Sequence, residues 1–186
     1  MSRQIEPVLT VADLDVMPDD GNRYEVIEGE LYPSRAPSVT HQIVLTKIIK
    51  SIASCLDQHP IGILVPGPGV ILSELSGVIP DLVFIRKDRL DEVISGERIV
   101  AARDLVIEII SPGPENQRRD RITKRHLYGK YSVKEYWVVD PIARTVEVYA
   151  LEGQTLRLVN TFAEEDQIVS DVLPAYRASA ASFFSN

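Results

Sequence analysis

Two apolar runs in this chain of 186 residues each carry one acid where an interior strand normally has none. The first is Asp81-Leu82-Val83-Phe84-Ile85, headed by Pro80; the second is Leu105-Val106-Ile107-Glu108-Ile109-Ile110, with Glu108 in its middle. Short runs rich in β-branched and large apolar residues read as central strands. A carboxylate inside such a strand is costly unless something compensates it. Strand alternation puts Asp81, Val83 and Ile85 on one face, and Val106, Glu108 and Ile110 on one face of the later strand. If the strands are neighbours with the acids level, two carboxylates converge. A charged helical segment carrying Lys124 follows. The compensation this pattern suggests is a divalent cation.

Mg²⁺ takes hard oxygen ligands in octahedral geometry at about 2.1 Å and keeps several waters. Asp81, Glu108 and a main-chain carbonyl beside Glu108, such as that of Ile109, could supply three positions, with Mn²⁺ as a substitute. A bound cation lowers the pKa of its water and offsets charge on a phosphorane-like transition state. The chemistry expected is metal-assisted hydrolysis of the nuclease kind. Its usual helper is a lysine two residues beyond the glutamate, and that position is Ile110. Lys124 can take the role from the helix, because Asp120, Lys124 and Tyr128 recur at i, i+4 and i+8 on one face. The alternative is an exposed Asp120–Lys124 ion pair worth roughly 0.3–0.5 kcal/mol.

Composition sets the frame. The length fits one domain spanning residues 1–186, able to bury roughly 70% of its unfolded surface. No apolar run approaches the roughly 20 residues that span a bilayer, and the N-terminus has no signal-peptide core. Cys55 is the single cysteine, so no internal disulfide forms; it is expected in the core, and the location expected is cytoplasmic. The net charge of −7 opposes a general grip on nucleic-acid phosphates. Residues 117–130 are a local exception, with Arg118, Arg119, Arg121, Lys124, Arg125 and Lys130 against Asp120 alone. Such a run is either a solvated helix face or part of a binding surface.

In order, residues 1–20 read as an irregular arm with a helical turn at Thr10–Asp15. Arg23–Tyr32 reads as a hairpin turning at Glu28-Gly29, with Ile27 opposite Glu30 and Glu25 opposite Tyr32. Glu25 and Glu30 then share a face, either solvated or giving the site one more carboxylate. Ser38 or Thr40 caps a long helix whose stripe runs from Ile43 to Leu56. His41 in its first turn is either structural or a contact to phosphate or metal-bound water. The cluster Pro66-Gly67-Pro68-Gly69 predicts a bend within a strand pair. Strands are expected at Val78–Ile85, Ile99–Ala101 and Asp104–Ile110, and a helix at Glu115–Tyr131. Trp137-Val138-Val139 is a strand ended by a turn at Asp140-Pro141. Along it Tyr136 and Trp137 alternate, one buried and one partly exposed. Thr145–Ala150 and Thr155–Phe162 form an antiparallel pair, Gln167–Val172 a short strand and Ala178–Phe184 a small helix or tail. The order is α/β (α+β): a mixed sheet flanked by helices.

Pro80-Asp81 with Glu108-x-Ile110 resembles the PD-(D/E)XK nuclease superfamily and, more narrowly, the Uma-type restriction-endonuclease family, formerly a domain of unknown function. The residues carrying the likeness are Tyr24-Glu25-Val26-Ile27-Glu28-Gly29-Glu30-Leu31, His41, Pro80-Asp81-Leu82-Val83-Phe84 and Leu105 to Pro112. It continues through Asp120, Lys124, Tyr128 and Glu135-Tyr136-Trp137-Val138-Val139-Asp140-Pro141. The resemblance implies a restriction-endonuclease-like core, Mg²⁺ dependence and phosphodiester hydrolysis on DNA. Asp81 and Glu108 would be metal ligands, and Lys124 a catalytic lysine moved from strand to helix. A homodimer is expected on the same ground. The alternatives are an inactive nuclease fold that binds nucleic acid or protein, favoured by Ile110 and the acidic charge, and a hydrolase of small phosphate esters.

Overall fold

The computed structural model describes residues 8–101 and 104–185, so the first seven residues of the expected arm lie outside it. A 3₁₀ turn at Val11–Val16 opens the described chain, with the Asp13 carboxylate accepting from the Thr10 N–H and hydroxyl. Strands β1 (Arg23–Ile27) and β2 (Glu30–Ser34) form the hairpin in the expected register, Ile27 opposite Glu30 and Glu25 opposite Tyr32. Its two-residue turn needs positive φ at both positions, which Glu28 (51°) and Gly29 (87°) adopt. Helix α1 (Val39–Gln58) follows, capped by the Ser38 hydroxyl accepting from the His41 N–H.

Next come β3 (Gly62–Pro66), β4 (Val70–Ser73), β5 (Ser76–Val78) and β6 (Leu82–Arg86). A one-turn α2 (Leu90–Val93) leads to β7 (Ile94–Ser95), β8 (Arg98–Ile99) and β9 (Leu105–Ile109). The second long helix starts at Pro114 rather than Glu115: α3 (Pro114–Arg118), a π-helical stretch (Arg119–Lys124) and α4 (Arg125–Lys130) run on without a break. Strands β10 (Glu135–Asp140), β11 (Thr145–Glu152), β12 (Thr155–Ala163), β13 (Gln167–Ile168) and β14 (Ala178–Ser179) complete the order.

Two six-stranded sheets result, ordered β2-β1-β5-β4-β8-β7 and β12-β11-β10-β9-β6-β3. The second is mixed, because β9 and β10 run parallel while its other pairs are antiparallel. This corrects two expectations. Pro66-Gly67-Pro68-Gly69 does not bend a strand pair; it carries the chain from β3 in one sheet to β4 in the other. The run Val78–Ile85 is not one strand, since Ile79-Pro80-Asp81 breaks it into β5 and β6 of different sheets. Proline, lacking an N–H, cannot continue a ladder there.

The mixed sheet has a core on each face. Leu82, Phe84, Leu105, Ile107, Ile109, Trp137 and Val139 point to α1 and the C-terminal segment, with Cys55 packed partly buried against them. Val83, Ile85, Val106, Ile110, Tyr136 and Val138 point the other way, to α4 and the first sheet. Tyr136 and Trp137 therefore alternate as expected, but both are fully buried, because both sheet faces are covered. Helix α4 sits so close to the β11–β12 turn that a Cβ on Gly129 would stand 2.8 Å from the Gln154 carbonyl oxygen. That approach fixes the helix over the sheet.

Candidate active site

Residues Leu82 and Ile107 are partners across β6 and β9, so Asp81 and Glu108 occupy the next step of the same register. Both line one cleft at the end of these strands, together with Glu25, His41, Asp120 and Lys124. Tyr128 reaches it from α4, while Glu30 stays at the surface and accepts from the Tyr32 hydroxyl at 2.8 Å. Of the three hairpin glutamates, only Glu25 turns inward.

Asp81 is held at both oxygens. His41 Nε2 lies 2.9 Å from Oδ1, and the Ile109 N–H donates to Oδ2 at 2.8 Å. An N–H and C=O of one strand residue leave the same edge, so the Ile109 carbonyl also faces the Asp81 side. His41 thus touches the acid itself. Its Nδ1 is buried without a hydrogen-bond partner among the described residues. The Nε2–H tautomer, donating to the carboxylate, leaves an acceptor rather than a donor unmatched.

Lys124 is 2% exposed and sits 2.9 Å from Glu108 Oε1 and 2.9 Å from Glu25 Oε1. The Tyr128 hydroxyl donates to the same Glu108 oxygen at 2.8 Å, and the Ile79 N–H donates to Glu25 at 2.7 Å. The reading of Asp120–Lys124 as an exposed pair is overturned, because both residues are buried and the lysine's ion pairs go to strand residues. Asp120 instead has the Arg119 Nε at 3.4 Å. The π-helical stretch loosens the main chain here, and the Tyr136 hydroxyl donates to the Asp120 carbonyl at 2.9 Å. Asp140 forms the expected turn, its Oδ1 accepting from the Ile142 and Ala143 N–H groups.

Burial and the carboxylates of Asp81, Asp120 and Glu25 outweigh Lys124 and push the Glu108 carboxyl up to about 8. Burial raises Asp120 as well, against the pull of Lys124 and Arg119. Burial disfavours a charged Lys124, yet Glu108, Glu25 and Asp120 together hold its ammonium above the ordinary range. Glu25, Asp81, Glu108 and Asp120 meet two enclosed cations, Lys124 and Arg119. Arg23 and Arg35, both exposed, line the same cleft, so its acids and its arginine and lysine side chains are equal in number.

The oxygen donor set suits a hard divalent cation, with Asp81, Glu108 and the Ile109 carbonyl as candidate ligands. Glu108 Oε2 has no hydrogen-bond partner among the described residues, while Oε1 takes Lys124 and Tyr128. Among the described residues no three His, Cys, Asp or Glu side chains form a ready-made metal cluster. The fit therefore depends on two carboxylates and a carbonyl, water filling the remainder, which is how Mg²⁺ is commonly held.

Sequence reasoning missed Arg119 as a cleft residue, naming it only within the basic run. On a regular helix five residues carry a side chain about 140° round from its start. The i→i+5 winding of the π-helical stretch brings Arg119 back over Lys124. No residue pattern announces that change.

A family model described as "Uma2: Putative restriction endonuclease" matches residues 11–181. No curated protein matches the chain. A solved structure described as "a putative nuclease belonging to DUF820 from Anabaena variabilis ATCC 29413" has a similar fold, with a TM-score of 0.75. It is 20% identical, over 95% of this chain and 97% of that one. No helix among the described residues is long and apolar enough to cross a membrane. Its restriction-endonuclease-like fold is shared with the neighbour described as a putative nuclease, and with nearly its whole length matched by the family model the chain belongs to the Uma2 family.

Proposed function

We propose that the chain is a Mg²⁺-dependent endonuclease hydrolysing phosphodiester bonds of DNA, working in the cytoplasm as a homodimer. The observation that supports this reading is the meeting of Asp81, Glu108 and Lys124, from the loop before β6, strand β9 and the second long helix, in one cleft. When bound, the cation would supply a Lewis acid and a water of lowered pKa. The chain's own residues do the positioning. His41 and the Ile109 N–H fix the Asp81 carboxylate, and Tyr128 and Lys124 fix Glu108. Lys124 keeps its proton, so its part is electrostatic rather than basic. Glu25 is a positioning residue, tying Lys124 to the Ile79 N–H two residues before Asp81.

Nicking of supercoiled plasmid in Mg²⁺ or Mn²⁺ tests the proposal. Cleavage should vanish in EDTA and in Asp81→Ala and Glu108→Ala; unchanged cleavage in both variants would remove this site from the reaction. The enclosure of Lys124 between two carboxylates favours a second reading, an inactive nuclease fold that only binds. Calorimetry finding no divalent binding would select it.

A further inference from the structure

Resting on the nuclease reading, we infer that Arg119 binds the substrate phosphate and that the nucleic-acid strand enters along the groove between the β1–β2 hairpin and α3. The basic run of the second helix is largely engaged elsewhere. Arg121 pairs with Asp140 at 3.0 Å and Glu147 at 2.8 Å, and Lys130 with Glu28 at 2.7 Å. Arg125 lies over the Tyr149 ring, 5.2 Å from its centroid. Lys124 is closed between Glu25 and Glu108. Arg119 differs from all of these. Its side chain is 15% exposed, and its contact with Asp120, through Nε at 3.4 Å, is long for a hydrogen bond. Its two terminal nitrogens have no partner among the described residues.

Arg119 also lines two spaces at once. One is the cleft of about 50 Å³ that holds Asp81 and Glu108, with room for water and a phosphoryl oxygen but not for a nucleotide. The other is the adjoining groove of about 780 Å³, walled by Tyr32, Asn116, Arg118 and Thr123. Three acids line that groove. Glu28 is paired with Lys130, and Glu30 accepts from the Tyr32 hydroxyl, which does not cancel its charge. Glu115 is exposed to solvent, with Arg118 and Arg119 in the same lining. Sugar and base must therefore lie in the groove while the phosphate faces the cleft, and the guanidinium stands at the junction. A planar fork matches two non-bridging phosphate oxygens, which an ammonium cannot do. Burial works against the Arg119 charge, but Asp120, Glu25 and Glu108 more than offset it and keep the guanidinium protonated.

The competing role is that of a counter-ion to Asp120. Fluorescence anisotropy with labelled oligodeoxynucleotides, single-stranded and duplex, in EDTA separates the two on the full chain. Arg119→Gln should weaken binding by at least about tenfold, and Arg119→Lys should recover little of it, since lysine restores the charge but not the fork. A neutral methylphosphonate placed along the strand should lower wild-type affinity at one position and leave Arg119→Gln indifferent there. Wild-type affinity in Arg119→Lys, or equal methylphosphonate effects in both proteins, would overturn the inference. If Arg119→Gln fails to fold in urea titrations, Arg119→Lys alone decides. The binding assay contains no metal and no turnover, so an absence of cleavage would defeat the nuclease reading while this assay still reports whether Arg119 holds a phosphate.

Discussion

Lys124 Nζ is 2.9 Å from Glu25 Oε1 and 2.9 Å from Glu108 Oε1, although Asp120 stands four residues before it in the same helix. Two carboxylates on different sheets thus share one ammonium, and Glu25 couples the hairpin to the Asp81 loop through the Ile79 N–H. Glu25→Ala leaves that donor and half of the lysine's compensation unmatched. It should lower unfolding free energy by about 1–3 kcal/mol in urea titrations. Glu25→Gln keeps an acceptor for Ile79 and should recover part of the loss. Equal midpoints for wild type and Glu25→Ala would mean that the coupling carries no energy.

Lys124→Met tests the other half of the pair. It leaves Glu25 and Glu108 buried and facing each other with no cation between them. Removing one partner of a buried pair costs about 3–5 kcal/mol, so the variant in EDTA should unfold well before wild type. Added Mn²⁺ should return part of the stability, since a second cation then serves the same acids. Plasmid nicking should fall by about a hundredfold or more, the scale of losing one preorganised electrostatic group.

How far could the sequence alone reach? The acids in Asp81–Ile85 and Leu105–Ile110 were legible because an interior strand tolerates a carboxylate only with compensation, and the β6–β9 register brings them level. The hairpin register followed from Glu28-Gly29, where the turn dictates the pairing. The break in Val78–Ile85 was signalled by Pro80, but the assignment of its halves to two sheets was not legible, since neither half is long enough to show its own period. Nor was the fate of Glu25 and Glu30, two like residues on one face of the hairpin, which only the position of Lys124 separates. The burial of both Tyr136 and Trp137 depended on a helix and a second sheet covering opposite faces, a tertiary fact. Arg119 needed the π-helical winding, which nothing in Arg119–Lys124 signals.

Asp104 gives a control outside the cleft. Fully buried, it accepts from the Arg86 N–H at 2.9 Å and pairs with Arg89 and Lys134, each at 2.9 Å. Burial alone would raise its carboxyl, but the Arg86 N–H, Lys134 and Arg89 hold it below the usual range. A depressed acid contributes stability above its unfolded pKa and loses it as pH falls through the folded value. Asp104→Asn should therefore cost about 1–3 kcal/mol at neutral pH and flatten the acid limb of the stability profile. Under conditions where the variant is folded, divalent binding and plasmid nicking should match wild type, because Asp104 lies outside the cleft.

Glu108 predicts the opposite slope. Its carboxyl rises from an ordinary 4.5 to about 8 through burial and the acids around it. The folded state then holds a proton that the unfolded state releases, so stability falls as pH climbs from about 4.5 to about 8. In EDTA the Tm should decline across that window, by about 2–4 °C for each kcal/mol lost in a chain of this size. A cation binds only the ionised ligand, so its arrival must expel that proton. Titrating Mn²⁺ at pH 7 in buffers of different ionisation enthalpy should reveal proton release approaching one per site. Mg²⁺ should correspondingly raise the Tm more at pH 8 than at pH 6. Glu108→Gln should abolish both the slope and the proton release. Divalent binding without proton release in the wild type, at the same stoichiometry, would place the cation on other ligands.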